Sequence, residues 1–186
     1  MVSIPALWLP ILVSAVLVFL VSSLVHMVLG YHRSDYRKLP NEAEVMAALR
    51  GAALNPGLYH FPHAASPKDM GTPEMVAKCK LGPVGLLTVM PSSAPAMPKF
   101  LGQWFVYCLL VSVFVAYLAG RTLPPGTAYL QVFRVAGTAA FLAYGLSEIV
   151  GSIWRGQLWS TTLKNLFDGL LYALVTAGAF GWLWPR

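Results

Sequence analysis

Four long apolar stretches constrain this chain more than any other feature. They run from about Ile4 to Tyr31, Phe100 to Gly120, Thr127 to Trp154 and Thr161 to Trp184. Each is close to the roughly 20 residues that a helix needs to cross a bilayer core. A soluble domain carries about 25% charged residues. This chain has 11%, with 57% hydrophobic residues and a mean hydropathy of +0.63, so much of it must face something other than water. The expected fold is an all-α membrane protein. It is a four-transmembrane-helix bundle, one membrane domain over residues 1–186, with a large, partly ordered cytoplasmic loop (about 32–99) between helices 1 and 2. The first stretch lacks a charged leader and is too long for the apolar core of a signal peptide, so it reads as an uncleaved anchor.

Charge placement gives an orientation. Eight of the 13 Lys and Arg fall between Tyr31 and Leu101, together with five of the seven carboxylates. The net charge of +6 is therefore spread along a mildly basic loop, which argues against a nucleic-acid partner and for the positive-inside rule. Arg155 and Lys164 fall on the same side; Arg121 and Arg186 fall on the other, with Arg134 deeper. Both termini are expected outside, and the bilayer is the expected partner. All six tryptophans lie near proposed helix ends, where indole rings favour the headgroup level. Trp104, Trp154 and Trp159 would form an inner belt, and Trp8, Trp182 and Trp184 an outer one. Cys79 in the loop and Cys108 within a span are poor disulfide partners.

The loop carries local signals. Asn41 and Glu44 have the spacing of an N-cap and its reciprocal partner, before Val45, Met46 and Leu49 at helical spacing. Thr72-Pro73-Glu74 predicts a second helix, ending at Gly82-Pro83. Leu58–Phe61 and Leu86–Met90 are short apolar runs that either pair as a small hairpin or lie along the membrane. Pro91 to Pro98 reads as an extended linker.

Ionisable residues inside the spans are the most unusual feature. His26, Glu148 and Asp168 lie on three different helices, each roughly 8–10 Å below the cytoplasmic interface by helical rise. Such residues face a bundle interior or a hydrated cavity when they are not snorkelling. They are candidates for one polar intramembrane cluster, with Asn165 and Tyr172 as neighbours. The plainer reading is interhelical glue, with Lys164 pairing Asp168 at i,i+4. Gly169, Ala173, Ala177 and Gly181 repeat every four residues, a small-residue stripe of the kind that packs membrane helices. Gly137, Ala140 and Gly145 could meet it, or the stripe could meet another subunit. His60, His63 and Cys79 offer nitrogen and sulfur donors to a metal ion, although the His-x-x-His spacing is unspecific. No cofactor is expected, with a metal ion as the alternative. No phosphate loop, nucleophile elbow or zincin helix occurs, and Ser14, Ser22 and Ser23 are expected to bond back to their own helix.

The ending, Trp159-Ser160-Thr161-Thr162-Leu163-Lys164-Asn165-Leu166-Phe167-Asp168-Gly169 through Gly181-Trp182-Leu183-Trp184, and the layout of one span, a polar loop and three spans resemble a widespread group of bacterial four-span membrane proteins catalogued only as a domain of unknown function. That resemblance implies the fold and a bacterial inner membrane, and no activity. Three roles stay open, in this order. The first is a non-enzymatic accessory or assembly subunit of a larger membrane complex. The second is a small homo-oligomeric transporter or channel using the His26–Glu148–Asp168 level. The third is a metal-dependent membrane enzyme.

Overall fold

The computed structural model describes residues 1–94 and 96–186. The chain divides into two compact units, one made of Met1–Tyr36 with Ala96–Arg186 and the other of Arg37–Pro95. The first is mainly helical, and the second combines two short helices with a two-stranded sheet.

Among the described residues, three helices are long and apolar enough to cross a membrane: Ile4–Leu29, Met97–Thr122 and Tyr129–Trp154. The first comprises a 3-10 turn, helix α1 (Trp8–Leu24) and a π turn (Val25–Leu29). The second, α4 (Met97–Thr122), begins earlier than its hydropathy suggests, with Pro98 in the first turn, where a missing N–H costs nothing. The third is interrupted: α5 (Tyr129–Tyr144), a 3-10 turn (Leu146–Glu148) and α6 (Ile149–Trp154). The fourth expected stretch forms α7 (Trp159–Trp182), 24 residues long. It is long enough, but Lys164, Asn165 and Asp168 in its first half lower its hydropathy below that of the other three. Helix α1 packs on α4 and α7, and α5 packs on α4 and α7, closing a four-membered ring.

The packing is that of helices without a hydrophobic drive between them. The core is built of small residues, Ala15, Ala116, Ala119, Ala136, Ala140 and Ala177, all fully buried. Large side chains such as Leu20, Leu110, Phe114 and Leu142 point outward and are exposed. Small residues let backbones approach, and the close contacts replace the water-driven term. The α5–α7 seam takes this furthest. A Cβ on Gly169 would lie 2.5 Å from Gly145 Cα and 2.7 Å from Tyr144 O, one on Gly137 would lie 3.1 Å from the Ala177 Cβ, and one on Gly181 would lie 2.8 Å from the Tyr129 ring. Ala173 is buried on the same face, its carbonyl oxygen 3.9 Å from the Gly137 position. Backbone contact at Gly145 also accompanies the break after α5, since glycine is a usual point of helix interruption.

Two tryptophans depart from the expected belts. Trp8, Trp154, Trp159 and Trp182 are exposed, but Trp184 is buried and donates to Pro124 O at 3.0 Å. Trp104 is half-buried and donates to Ser22 Oγ at 2.8 Å. Each indole N–H found a protein acceptor, which removes its reason to sit at a headgroup.

In the second unit, α2 (Glu42–Gly51) starts where expected, yet Asn41 sits in the left-handed region at φ 51° and makes no side-chain cap. The reciprocal bond with Glu44 is absent; instead the Asn41 carbonyl accepts from Glu44 N at 3.0 Å. Helix α3 (Pro73–Leu81) is capped by Thr72, whose Oγ1 accepts from Met75 N at 3.3 Å. The apolar runs pair antiparallel as β1 (Gly57–Phe61) and β2 (Gly85–Val89), with Tyr59 opposite Leu87. The expected linker Pro91 to Pro98 includes Pro95, which lies outside the described residues.

Ala177→Leu should overpack the α5–α7 seam and lower stability by about 1–3 kcal/mol, measured as thermal unfolding in detergent. Leu174→Ala, on the exposed face of the same helix, should move the midpoint far less. Equal effects from the two substitutions would show that the seam carries no special packing.

Candidate functional site

The first span ends in a way that builds a site. After the π turn, Gly30 takes φ 63°, a left-handed conformation natural to glycine at a helix end. The chain then reverses into a 3-10 turn, Tyr31–Asp35, which lies against the first three turns of α7. There Thr161, Lys164 and Asp168 recur at i, i+3 and i+7, on one helical face. Lys164 Nζ donates to Asp35 Oδ1 at 2.7 Å, Tyr31 O at 2.8 Å and Ser34 Oγ at 2.8 Å. Thr161 Oγ1 donates to Asp35 Oδ1 at 3.1 Å. His32 bridges two carboxylates, with Nδ1 2.7 Å from Asp35 Oδ2 and Nε2 2.7 Å from Asp168 Oδ2. The Tyr31 hydroxyl donates to Asp168 Oδ1. His26 Nε2 lies 4.0 Å from Asp168 Oδ2, while its Nδ1 is 3.1 Å from Ser22 O.

The result is an alternating chain, Lys164–Asp35–His32–Asp168. Both carboxylates have side chains less than a tenth exposed, where a lone charge is costly and a paired, fully bonded one is tolerated. His32 thus presents one ring nitrogen to each carboxylate and sits between the two. The bond from Lys164 holds the Asp35 carboxyl below its ordinary range against the opposing effect of burial. Burial, and then the bond to Asp168, push the Tyr31 phenol upward. The i,i+4 pairing of Lys164 with Asp168 does not form, because Asp35 takes the lysine and the reversed chain supplies Asp168 with Tyr31 and His32.

Asp168 also faces a cavity of about 610 Å³ at the end of the bundle where α1 finishes and α4 and α7 begin. His26, Glu148, Asn165, Asp168 and Tyr172, from three elements, all line it. Glu148 sits in the 3-10 turn after Gly145, and its Oε2 accepts from Asn165 Nδ2 at 2.8 Å. Trp104, Tyr144 and Tyr172 form an aromatic wall, with Tyr144 and Tyr172 rings 5.7 Å apart and Trp104 6.1 Å from Tyr172. The hydroxyls of Tyr144 and Tyr172 are buried without a hydrogen-bond partner. Met27, Met97, Phe100 and Leu101 make the rest apolar. Tyr31, His32, Asp35, Trp104 and Tyr144 were not among the residues expected here. The His32-x-x-Asp35 spacing beside the span end was the available signal for two of them.

The serines hold to their own helix: Ser14 Oγ donates to Ile11 O at 3.1 Å, and Ser22 and Ser23 to Phe19 O at 2.9 Å. Neither cavity serine hydroxyl is hydrogen-bonded to a base. Of the metal donors expected in the loop, His60 has its Nδ1 3.0 Å from Pro62 O and Cys79 is exposed. Among the described residues they and His63 form no group of donors close enough to share an ion, whereas His26, His32 and Asp168 do, within 4.8 Å. Yet the two imidazoles stack at 4.6 Å with planes 7° apart. Parallel rings direct their in-plane lone pairs along lines that do not meet, so no point at about 2.1 Å from both nitrogens lies in both planes. As built, the cluster is a hydrogen-bonded relay rather than a coordination site.

The chain matches no known protein-family profile, no curated protein and no solved structure.

Lys164→Ala should strand Asp35 and lower thermal stability by on the order of 2 kcal/mol, and Lys164→Ala with Asp35→Ala should recover part of that loss. A double variant no better than the single would separate the two residues. Because the folded Asp35 carboxyl titrates below its ordinary value of 3.8, its contribution is present above that value and is lost as the pH falls through the lowered one. The protection of amides 31–35, after correction for the intrinsic pH dependence of exchange, should therefore fall in acid below about pH 4.

Proposed function

We propose that the protein is a small membrane carrier, with all four long helices crossing a bacterial inner membrane and the cavity as its substrate site. The reading rests on one observation above others: a cavity bounded by the four helices and lined by ionisable groups lies at one end of the bundle, and the middle of the bundle beneath it is packed. Below the cavity, Ser14 and Ser112 hydrogen-bond at 2.9 Å, and Ala15, Val18, Val115 and Ala136 are fully buried. A pore would need a continuous path. A site open towards one side suits a carrier, whose ligand site alternates in access. Neither cavity serine hydroxyl is bonded to a base, which weighs against hydrolytic chemistry there.

The apolar outer face of α7 supports its role as a fourth span. Leu163, Phe167, Leu170 and Leu174 are all exposed and recur at helical spacing, as a lipid-facing stripe does. The Lys and Arg distribution then places both termini and the Arg121–Gly126 turn outside, with Arg37–Pro95 in the cytoplasm and the cavity towards the cytoplasmic side.

Two experiments test this reading. A membrane-impermeant thiol reagent should label exposed Cys79 in inverted vesicles and not in intact cells, with buried Cys108 silent in both. Labelling in intact cells reverses the topology. In a Cys79→Ser background, Ser23→Cys on the cavity wall should react from the cytoplasmic side and more slowly from outside, as the bundle alternates. Reaction from one side alone, together with a stoichiometric partner on gentle purification, would favour the accessory-subunit role instead.

A further inference from the structure

We infer that the cavity takes an amphipathic organic amine, bound as its cation with the ammonium group at Glu148; this rests on the cavity being the substrate site.

Charge comes first. Of the two carboxylates lining the cavity, Asp168 is engaged through both oxygens, by Tyr31 and His32. Glu148 has only the Asn165 amide, and among the described residues no Lys, Arg or His lies within 4.0 Å of it. The lining contains no Lys or Arg at all, and its one histidine, His26, lies beside Asp168. A carboxylate at span depth without a counter-charge is costly, and such groups pair with a cation when one is offered. An anionic ligand would meet two carboxylates; a cation would complete the pairing that Asp168 already has.

The walls narrow the class further. Trp104, Tyr144 and Tyr172 present electron-rich rings, which attract a desolvated cation. Both tyrosine rings line the cavity although the residues are only 7% and 4% exposed, and Asn165 keeps the Glu148 carboxylate oriented to accept from an ammonium N–H. Opposite this polar end, Met27, Met97, Phe100 and Leu101 are apolar, and two of them are flexible thioethers that adapt to variable shapes. A volume of about 610 Å³ falls within the range of small-molecule sites. A charged head on a hydrophobic body fits; a polyol would leave the apolar wall unused.

The test compares three probes that differ in the head group alone: 4-phenylbutylamine, 4-phenylbutanol and 4-phenylbutyrate. Binding is measured calorimetrically on the full chain in nanodiscs, against empty nanodiscs. The amine should bind about tenfold or more tighter than the alcohol, and the carboxylate should bind weakest. Glu148→Gln should remove the preference for amine over alcohol. Trp104→Leu, which removes one ring of the aromatic wall, should weaken the amine more than the alcohol, by about threefold to tenfold, and it decides the matter if Glu148→Gln does not fold. Asp69→Asn, in the other unit, should change nothing. Equal binding of amine and alcohol, or an unaffected amine in both cavity variants, would overturn the assignment of an amine while leaving a cavity ligand in place. No binding by any probe also overturns it, and the Ser23→Cys access experiment then decides the carrier reading separately.

Discussion

The carboxylate of Asp168 lies in the third turn of a long, mostly apolar helix, less than a tenth exposed, and the rest of the bundle end is arranged around that fact. In an environment of low polarity the charge cannot be left to water, so its partners must come from the chain. Helix α7 itself offers Lys164, but the geometry sends that lysine to Asp35. The partners are Tyr31 and His32, and they reach Asp168 only because the chain reverses at Gly30. Asp35, three residues beyond His32, then holds the other side of the imidazole and the lysine. Removing any one member leaves a neighbour charged and unpaired, which makes the end of the first span and the start of α7 a single cooperative element.

A second constraint acts at the opposite face of α7. Gly169 and Gly145 bring two backbones into contact, closer than any Cβ would permit. The α5 helix is interrupted there, and the 3-10 turn that follows carries Glu148 to the cavity, where Asn165 meets it. Two consecutive turns of α7 thus hold Lys164, Asn165, Asp168 and Gly169, each facing a different neighbour. One segment positions the relay, the cavity carboxylate and the packing seam.

How legible this was depends on the range of the interaction. Hydropathy placed the long helices, since the bilayer imposes a length that a single sequence can show. Helical depth put His26, Glu148 and Asp168 at one level, with Asn165 and Tyr172 as neighbours, because rise per residue is a local rule. The small-residue stripe from Gly169 to Gly181 was visible for the same reason. What local rules could not supply was the reversal at Gly30. It follows a π turn that no hydropathy profile marks, and it brings residues 133 to 137 positions apart in sequence into contact. Asn41 had the right residue type for a cap, but its backbone is left-handed, so the side chain does not cap the helix. His60, His63 and Cys79 were plausible donors by type alone. Type without a shared point of convergence does not make a site, and parallel stacking denies the same convergence even to His26 and His32.

The two carboxylates at the cavity therefore differ in what their surroundings leave undone. Asp168 has a hydrogen-bond partner on each oxygen, so a ligand that sought it would have to displace an internal one. Glu148 has one neutral amide and, among the described residues, no cation. Interior polar groups in folded proteins are nearly always satisfied, so of the two cavity carboxylates the one with the incomplete set of partners is the one on which the amine proposal rests.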